Sequence, residues 1–314
     1  MLVPADFRRR LPDGAIVNRW QAADGWPLRR FDWPADSAAP RGSILFQGGR
    51  GDIFEKYLEA FVHWHDEGWS ITSFDWRGQG GSGRLSPDPH VGHVADFGTF
   101  IADFRAFWSG WAAEATGPHV LMGHSMGGHL VLRAMAEGAA QPDAAVLVAP
   151  MLGLGSPLGA RGGGWLARLM TRLGNPARAA WKTNERPISP SPRQVLLTHD
   201  VGRYDDEMWW KRQQPDLVTG PPSWQWLAQA FASTAALAAD PRLARLDIAM
   251  LMLIADADKL VEPRTSHAVA ARLPDCTVVE FGAESAHEIL READPVRDRA
   301  LAAIDRFLDD RTPA

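Results

Sequence analysis

The sequence predicts an α/β protein, a mostly parallel sheet with helices on its faces and one inserted cap. Short apolar runs alternate with longer stretches of helical periodicity. A G-x-S-x-G motif stands where one such run gives way to a helix. The alternation stops near residue 150 and returns near 223. The core is therefore expected over 1–150 and 223–314, and the cap over 151–222.

Taken in order, Ile44, Leu45 and Phe46 read as a strand ending on the Gly-rich 47–51, and a helix follows over about 54–65. Residues 70–74 form the next strand and close on Asp75 and the turn 77–83. Phe97, Phe100, Ile101, Phe104, Phe107 and Trp108 recur at helical spacing over 96–113. A strand over 119–122 runs into Gly123-His124-Ser125-Met126-Gly127 and a helix to about 137, and 144–148 is again strand. After the cap come a helix over 224–238, a strand over 248–254, a helix over 263–272, a strand over 277–281 and a last helix over 295–308.

Composition narrows the function. Hydrophobic residues make up 46% and charged residues 23% of 314, the balance of a globular protein. A net charge of −5 argues against nucleic acid, whose binding needs clustered Lys and Arg to displace counterions. The single cysteine, Cys276, precludes an intramolecular disulfide and reads as an inert thiol. Arg8-Arg9-Arg10 is followed by no apolar run of the kind a signal peptide needs, and no stretch is long enough to cross a bilayer. A soluble cytoplasmic protein is expected, with a peripheral membrane contact through the cap left open. His63, His65, His90 and His93 lack a third ligand at metal-binding spacing, so neither metal nor cofactor is expected.

The motif carries the chemistry. Its strand-to-helix turn is so tight that flanking glycines are required, and it leaves the Ser125 hydroxyl above the sheet beside the free N–H groups of a new helix. A serine hydroxyl is a weak nucleophile, so a histidine must take its proton and a carboxylate must orient that histidine. In this arrangement the chain order is serine, acid, histidine. The acid should follow the strand 248–254, where Asp256 and Asp258 are both candidates. The histidine should follow 277–281, and His287 stands there. The oxyanion donors are assigned to the backbone N–H groups of Met126 and Gly49, with Gly48 the alternative. Each is worth about 3 kcal/mol in the transition state.

With these residues in place, the sequence resembles the monoacylglycerol lipase and bacterial lysophospholipase branch of the α/β-hydrolases over about 7–308. The likeness is strongest in 74–85, 87–94, the serine turn and 287–290, and inside the cap in 195–200 and Arg203-Tyr204. The acid-loop pattern favours Asp258 over Asp256, so the resemblance implies a triad of Ser125, Asp258 and His287. It also implies cleavage of one fatty-acyl ester of a single-chain glycerolipid through an acyl-enzyme. Many relatives have His-Gly where this chain has Gln47-Gly48. Two rivals are a general carboxylesterase with a compact pocket and a catalytically silent ligand-binding member of the fold.

Six of the fourteen Trp fall between Trp165 and Trp226. Trp165, Leu166, Leu169, Met170 and Leu173 share a helical face, with Arg168 and Arg172 off it. Such a face lines an acyl groove, rests on a membrane or packs the cap onto the core. Trp165, Leu169, Trp209 and Trp210 are the candidates for substrate contact. Asp75 and Arg77, at a strand end before a Gly-rich turn, read as structural.

Overall fold

A computed structural model of the chain describes residues 7–181 and 193–313. Within them lie β1 (Ile16–Gln21), β2 (Pro27–Trp33), β3 (Gly42–Gln47), β4 (Trp69–Phe74), β5 (His119–His124), β6 (Ala144–Val148), β7 (Ala249–Ala255) and β8 (Cys276–Phe281). They form one sheet in the order β1-β2-β4-β3-β5-β6-β7-β8. Neighbours from β4 through β8 run parallel, while β2 is antiparallel to β4 and β1 to β2.

The inner parallel strands are those legible as apolar runs, because helices cover both of their faces and nearly every side chain from β3 to β7 is buried. The edge strand β8 is buried only at Phe281. Alternate residues go to opposite sides. Leu45, Leu121, Ala145 and Leu147 join one core with Phe74, Phe104 and Phe107. Ile44, Phe46, Val120, Met122, Val146 and Val148 join the other with Phe31, Phe61 and Ile304. Helices α1 (Leu58–Asp66), α2 (Gly98–Glu114) and α3 (Met126–Ala136) occupy the connections the periodicity predicts.

The antiparallel hairpin β1–β2 has no counterpart in the sequence reading. β1 is a largely exposed edge strand whose apolar residues Ile16 and Val17 face solvent, so it shows no burial alternation. Its signal was the turn instead. Asp24-Gly25 is a hairpin dipeptide, and Gly25 has the positive φ (82°) that such turns demand.

Between β6 and β7 the chain adds no strand to the sheet among the described residues. It forms α4 (Gly159–Arg172), α5 (Gln194–Leu197), α6 (Val201–Gln213) and α7 (Trp224–Ala239). α4 and α7 touch closely, and a Cβ on Gly163 would lie 2.7 Å from the Phe231 ring. α6 is anchored through the buried Arg203, whose guanidinium meets Glu59 of α1 at 2.7 and 2.9 Å, Asp200 at 2.8 Å and Asp294 at 2.6 Å. The chain ends with α8 (Pro263–Ala270) and α9 (Asp294–Arg311).

Asp75 and Arg77 are buried structural residues with separate partners. Asp75 accepts from Arg29 and from the Gly81 N–H, and burial pushes its carboxyl up to about 6. Arg77 forks onto Asp24 and Asp103. Cys276 is half-buried, and burial beside Asp275 pushes its thiol up to about 11.

Candidate active site

Ser125 sits between β5 and α3 with φ 52° and ψ −118°, a conformation that costs a non-glycine residue about 1–3 kcal/mol. The surrounding backbone enforces it. The Ser125 N–H donates to Val148 at 3.0 Å, and its carbonyl accepts from His129 at 3.1 Å and Met151 at 2.9 Å. A Cβ on Gly127 would stand 2.3 Å from the Gln47 carbonyl oxygen, and one on Gly123 would stand 2.7 Å from the Gly128 nitrogen. Glycine at both positions is a steric requirement.

The loop after β7 brings Asp258, and not Asp256, to His287. One Asp258 oxygen lies 2.5 Å from Nδ1 of His287, and the other accepts from the Leu260 and Val261 N–H groups at 2.7 and 3.1 Å. Burial opposes ionisation of Asp258, but the His287 ring and these N–H groups outweigh it and hold the carboxyl below its usual range. Burial likewise opposes charge on His287, yet the Asp258 carboxylate, with Glu288 behind it, raises the imidazole above its ordinary value. Asp256 is exposed and pairs at 2.9 Å with Nε2 of His267.

Ser125 and His287 line the same cavity, but no hydrogen bond joins their side chains among the described residues. Such links are often long in unliganded enzymes and tighten around substrate.

The oxyanion loop departs from expectation. Met126 opens α3, where first-turn N–H groups have no acceptor in the helix. The Gly49 N–H, assigned as the second donor, instead donates to Asp52 Oδ2 at 2.6 Å. The residue lies beside Ser125, since a Cβ on Gly49 would come within 2.9 Å of Ser125 Cβ. The group is occupied because the glycine turn folds a carboxylate three residues on back over it.

Asp52 opens a buried polar network that no spacing in the sequence announces. It accepts from Lys56 Nζ at 2.5 Å and from the Tyr57 hydroxyl at 2.6 Å, and it lies 3.3 Å from Nδ1 of His124. Burial opposes its charge, but Lys56 and His124 prevail and keep it well below the usual carboxylate range. Lys56 bonds onward to Glu288, and Arg291 bridges Glu288 and Glu207. Burial holds the His124 imidazole below its ordinary value; the ring lies 2.7 Å from the Tyr57 hydroxyl and 3.3 Å from the His287 carbonyl. Only the adjacency of Glu288 to His287, and of Lys56 one helical turn after Asp52, could have hinted at this.

The cavity over Ser125 has a volume of about 770 Å³. Leu154, Leu166, Ala167, Leu196, Trp181, Trp224, Trp226 and Phe231 wall it, and Arg50, Arg193 and Lys259 supply basic groups. None of the four residues singled out for substrate contact lines it. Trp165 is 61% exposed, Leu169 is half-buried, and Trp209 packs edge-on against Trp210, which donates from Nε1 to the Arg8 carbonyl. Helix α4 turns its small residues inward because Phe231 presses against Gly163, which rotates Trp165 outward.

Apart from the cavity, tertiary structure gathers Asp256, His267 and Glu280 with ligand atoms within 4.8 Å of one another, a cluster the histidine spacing did not show. Both carboxylates are exposed.

The family model described as serine aminopeptidase S33 (Hydrolase_4) matches residues 38–294. The chain belongs to this family of α/β-hydrolases. Among relatives of the hydrolase, lysophospholipase L2 of Escherichia coli is 28% identical over 293 residues, 85% of this chain and 80% of that protein. The monoacylglycerol lipase of Mycolicibacterium smegmatis is 31% identical over 120 residues, 38% of this chain and 40% of that protein. The fold matches a soluble variant of monoglyceride lipase from Saccharomyces cerevisiae, solved with a substrate analog, at TM-score 0.78 and 18% identity over 96% of this chain and 97% of that one.

Proposed function

We propose that the protein hydrolyses the fatty-acyl ester of a single-chain glycerolipid, a lysophospholipid or monoacylglycerol, through an acyl-enzyme on Ser125. The carrying observation is the cavity of about 770 Å³, walled by Leu, Trp and Phe and bordered by Ser125 and His287. Its size falls in the ~300–1,000 Å³ range of small-molecule sites. The relatives named lysophospholipase and monoacylglycerol lipase support the same substrate class.

In this reading His287 takes the Ser125 proton as Oγ attacks the ester carbonyl, and Asp258 fixes the ring and stabilises the imidazolium. The Met126 N–H receives the oxyanion, with the Gly48 N–H as the second donor because Asp52 already occupies that of Gly49. Collapse expels the glycerol oxygen, protonated by His287. Water then attacks the acyl-serine by the same path in reverse. Residues 151–222 act as the cap, presenting the inner side of α4 to the acyl chain.

The S33 description raises peptide hydrolysis as a second reading. An aminopeptidase needs an acidic group for the substrate ammonium. Among the described residues, the acidic groups lining this cavity, Asp52 and Glu288, are buried and engaged by Lys56 and Arg291.

Hydrolysis of lysophosphatidylcholine, lysophosphatidylethanolamine and monoacylglycerol side by side tests the proposal. Ser125→Ala should lower kcat by roughly 10⁶-fold while the protein stays folded. Retained activity would reject the mechanism, and turnover of acetyl but not long-chain esters would reassign the protein to the general carboxylesterases.

A further inference from the structure

The charge that lines the cavity is not balanced. Arg50, Arg193 and Lys259 line it, against the two carboxylates Asp52 and Glu288. Both carboxylates are buried and already compensated, Asp52 by Lys56 at 2.5 Å and Glu288 by Lys56 and Arg291. Lys56 and Arg291 stand behind the lining, so the surface offered to a substrate carries an excess of positive charge. The chain as a whole has a net charge of −5, and its bulk composition does not explain the excess. Ester cleavage by Ser125, His287 and backbone N–H groups makes no use of these cations.

Their positions tie them to the reacting end of the cavity. Arg50 follows Gly49, where a Cβ would stand 2.9 Å from that of Ser125. Lys259 follows Asp258, which lies 2.5 Å from Nδ1 of His287. Consecutive Cα atoms are about 3.8 Å apart, so each side chain starts one step from a residue that touches the triad. Arg193 precedes α5, whose Leu196 and Leu197 carbonyls receive the His287 and Glu288 N–H groups. Arg50 lies along the wall: Nη1 donates to the Gly220 carbonyl at 2.8 Å, and Cζ sits 5.7 Å from the centre of the Trp226 ring. Lys259 and Leu260 are exposed, which makes the acid loop part of the rim, whereas Ala167, Leu197 and Trp226 form buried apolar wall. An apolar wall under a cationic rim fits an amphiphile whose polar end is negative.

We propose that Arg50, Lys259 and Arg193 form a subsite for the headgroup phosphate, and that the enzyme takes an anionic lysophospholipid in preference to a neutral monoacylglycerol. This rests on the lipid-ester reading above and chooses within it. In a glycerolipid only the glycerol carbons separate the scissile ester from the phosphate, so the phosphate must lie near the loops that carry Gly49 and Asp258. A guanidinium donates paired N–H groups to phosphate oxygens, and an ammonium adds a point charge. A choline or ethanolamine ammonium meets no uncompensated carboxylate among the described lining residues. Headgroups whose only charge is the phosphate are therefore favoured over zwitterionic ones.

The test compares kcat/KM for lysophosphatidylglycerol, lysophosphatidylcholine and monoacylglycerol of one acyl chain in one neutral detergent. Wild type should favour lysophosphatidylglycerol over monoacylglycerol by about 100-fold, with lysophosphatidylcholine between them, and the preference should shrink as salt rises. R50Q and K259Q should each lower that ratio about 10-fold, and the double variant should bring it near one. Misfolding lowers both rates alike and leaves the ratio standing. R172Q, exposed on α4 and outside the cavity lining, should keep the wild-type ratio. A wild-type ratio near one, lysophosphatidylcholine as the fastest substrate, a ratio unmoved in the double variant, or an equal fall in R172Q would each overturn the subsite. Millimolar inorganic phosphate should barely slow monoacylglycerol hydrolysis, because a free ion lacks the acyl chain that anchors the lipid. Strong inhibition would assign the cations to a free anion instead. The two readings fail separately: similar rates on all three lipids sink the subsite alone, whereas hydrolysis of none sinks the lipid-ester assignment.

Discussion

Asp52 places an ionised carboxylate on the Gly49 N–H, beside the position where ester hydrolysis would develop negative charge. Lys56, Tyr57 and His124 surround that carboxylate, so the polar groups nearest Ser125 are already compensated before substrate arrives. The Asp258–His287 pair is set the same way, with both carboxylate oxygens engaged. Its titration gives a signed prediction. Protonated His287 cannot accept the Ser125 proton, and its pKa is raised above the ordinary 6.5. In a pH–rate profile, kcat/KM should be full above that raised value and fall as pH drops through it. Asp258→Asn removes the charge that raises it, so the acid limb should move to lower pH while kcat falls about 10⁴-fold. An unmoved limb would detach Asp258 from His287.

At the element scale, the tight contacts are backbone against backbone. Gly127→Ala puts a methyl group 2.3 Å from the Gln47 carbonyl, where no rotamer change gives relief. It should destabilise by about 1–3 kcal/mol or more and displace the oxyanion turn, lowering both the urea midpoint and kcat. Helix α6 depends on Arg203, whose guanidinium is buried among Glu59, Asp200 and Asp294. Arg203→Ala leaves Glu59 buried beside fewer cations and should cost about 3–5 kcal/mol in urea unfolding. A loss below ~1 kcal/mol would show that α6 is held by its apolar contacts instead.

Across the whole molecule, the His287 loop and the segment between β6 and β7 are joined. The Glu288 N–H donates to the Leu197 carbonyl at 2.7 Å and the His287 N–H to the Leu196 carbonyl at 3.4 Å. Leu196 and Leu197 also line the cavity, so the same two residues touch both the cavity and the His287 loop. A p-nitrophenyl ester series should therefore show kcat/KM rising from acetyl toward long chains, because each added methylene buries apolar surface worth about 0.8 kcal/mol until the cavity is full. A monotonic fall with chain length would mean the acyl group does not enter the space beneath α4.

Much was readable in the chain because local chemistry dictates it. Strands covered on both faces are largely apolar, so β3 to β7 stood out, and β8 was legible from its Val278-Val279 run. A serine on a strand-to-helix turn must have glycines beside it, and the order of Ser125, Asp258 and His287 follows from the order of strand ends. The edge hairpin escaped because a strand facing water carries no burial pattern. Tertiary packing alone decided the rest. A helix with apolar residues on one face does not say which neighbour it will meet, and the contact of Gly163 with Phe231 turned Trp165 to solvent and Leu166 to the cavity. Likewise, Asp52 reaches the Gly49 N–H only because the loop closes on itself. Periodicity is a property of one segment, whereas orientation and hydrogen-bond occupancy depend on what the other segments bring against it.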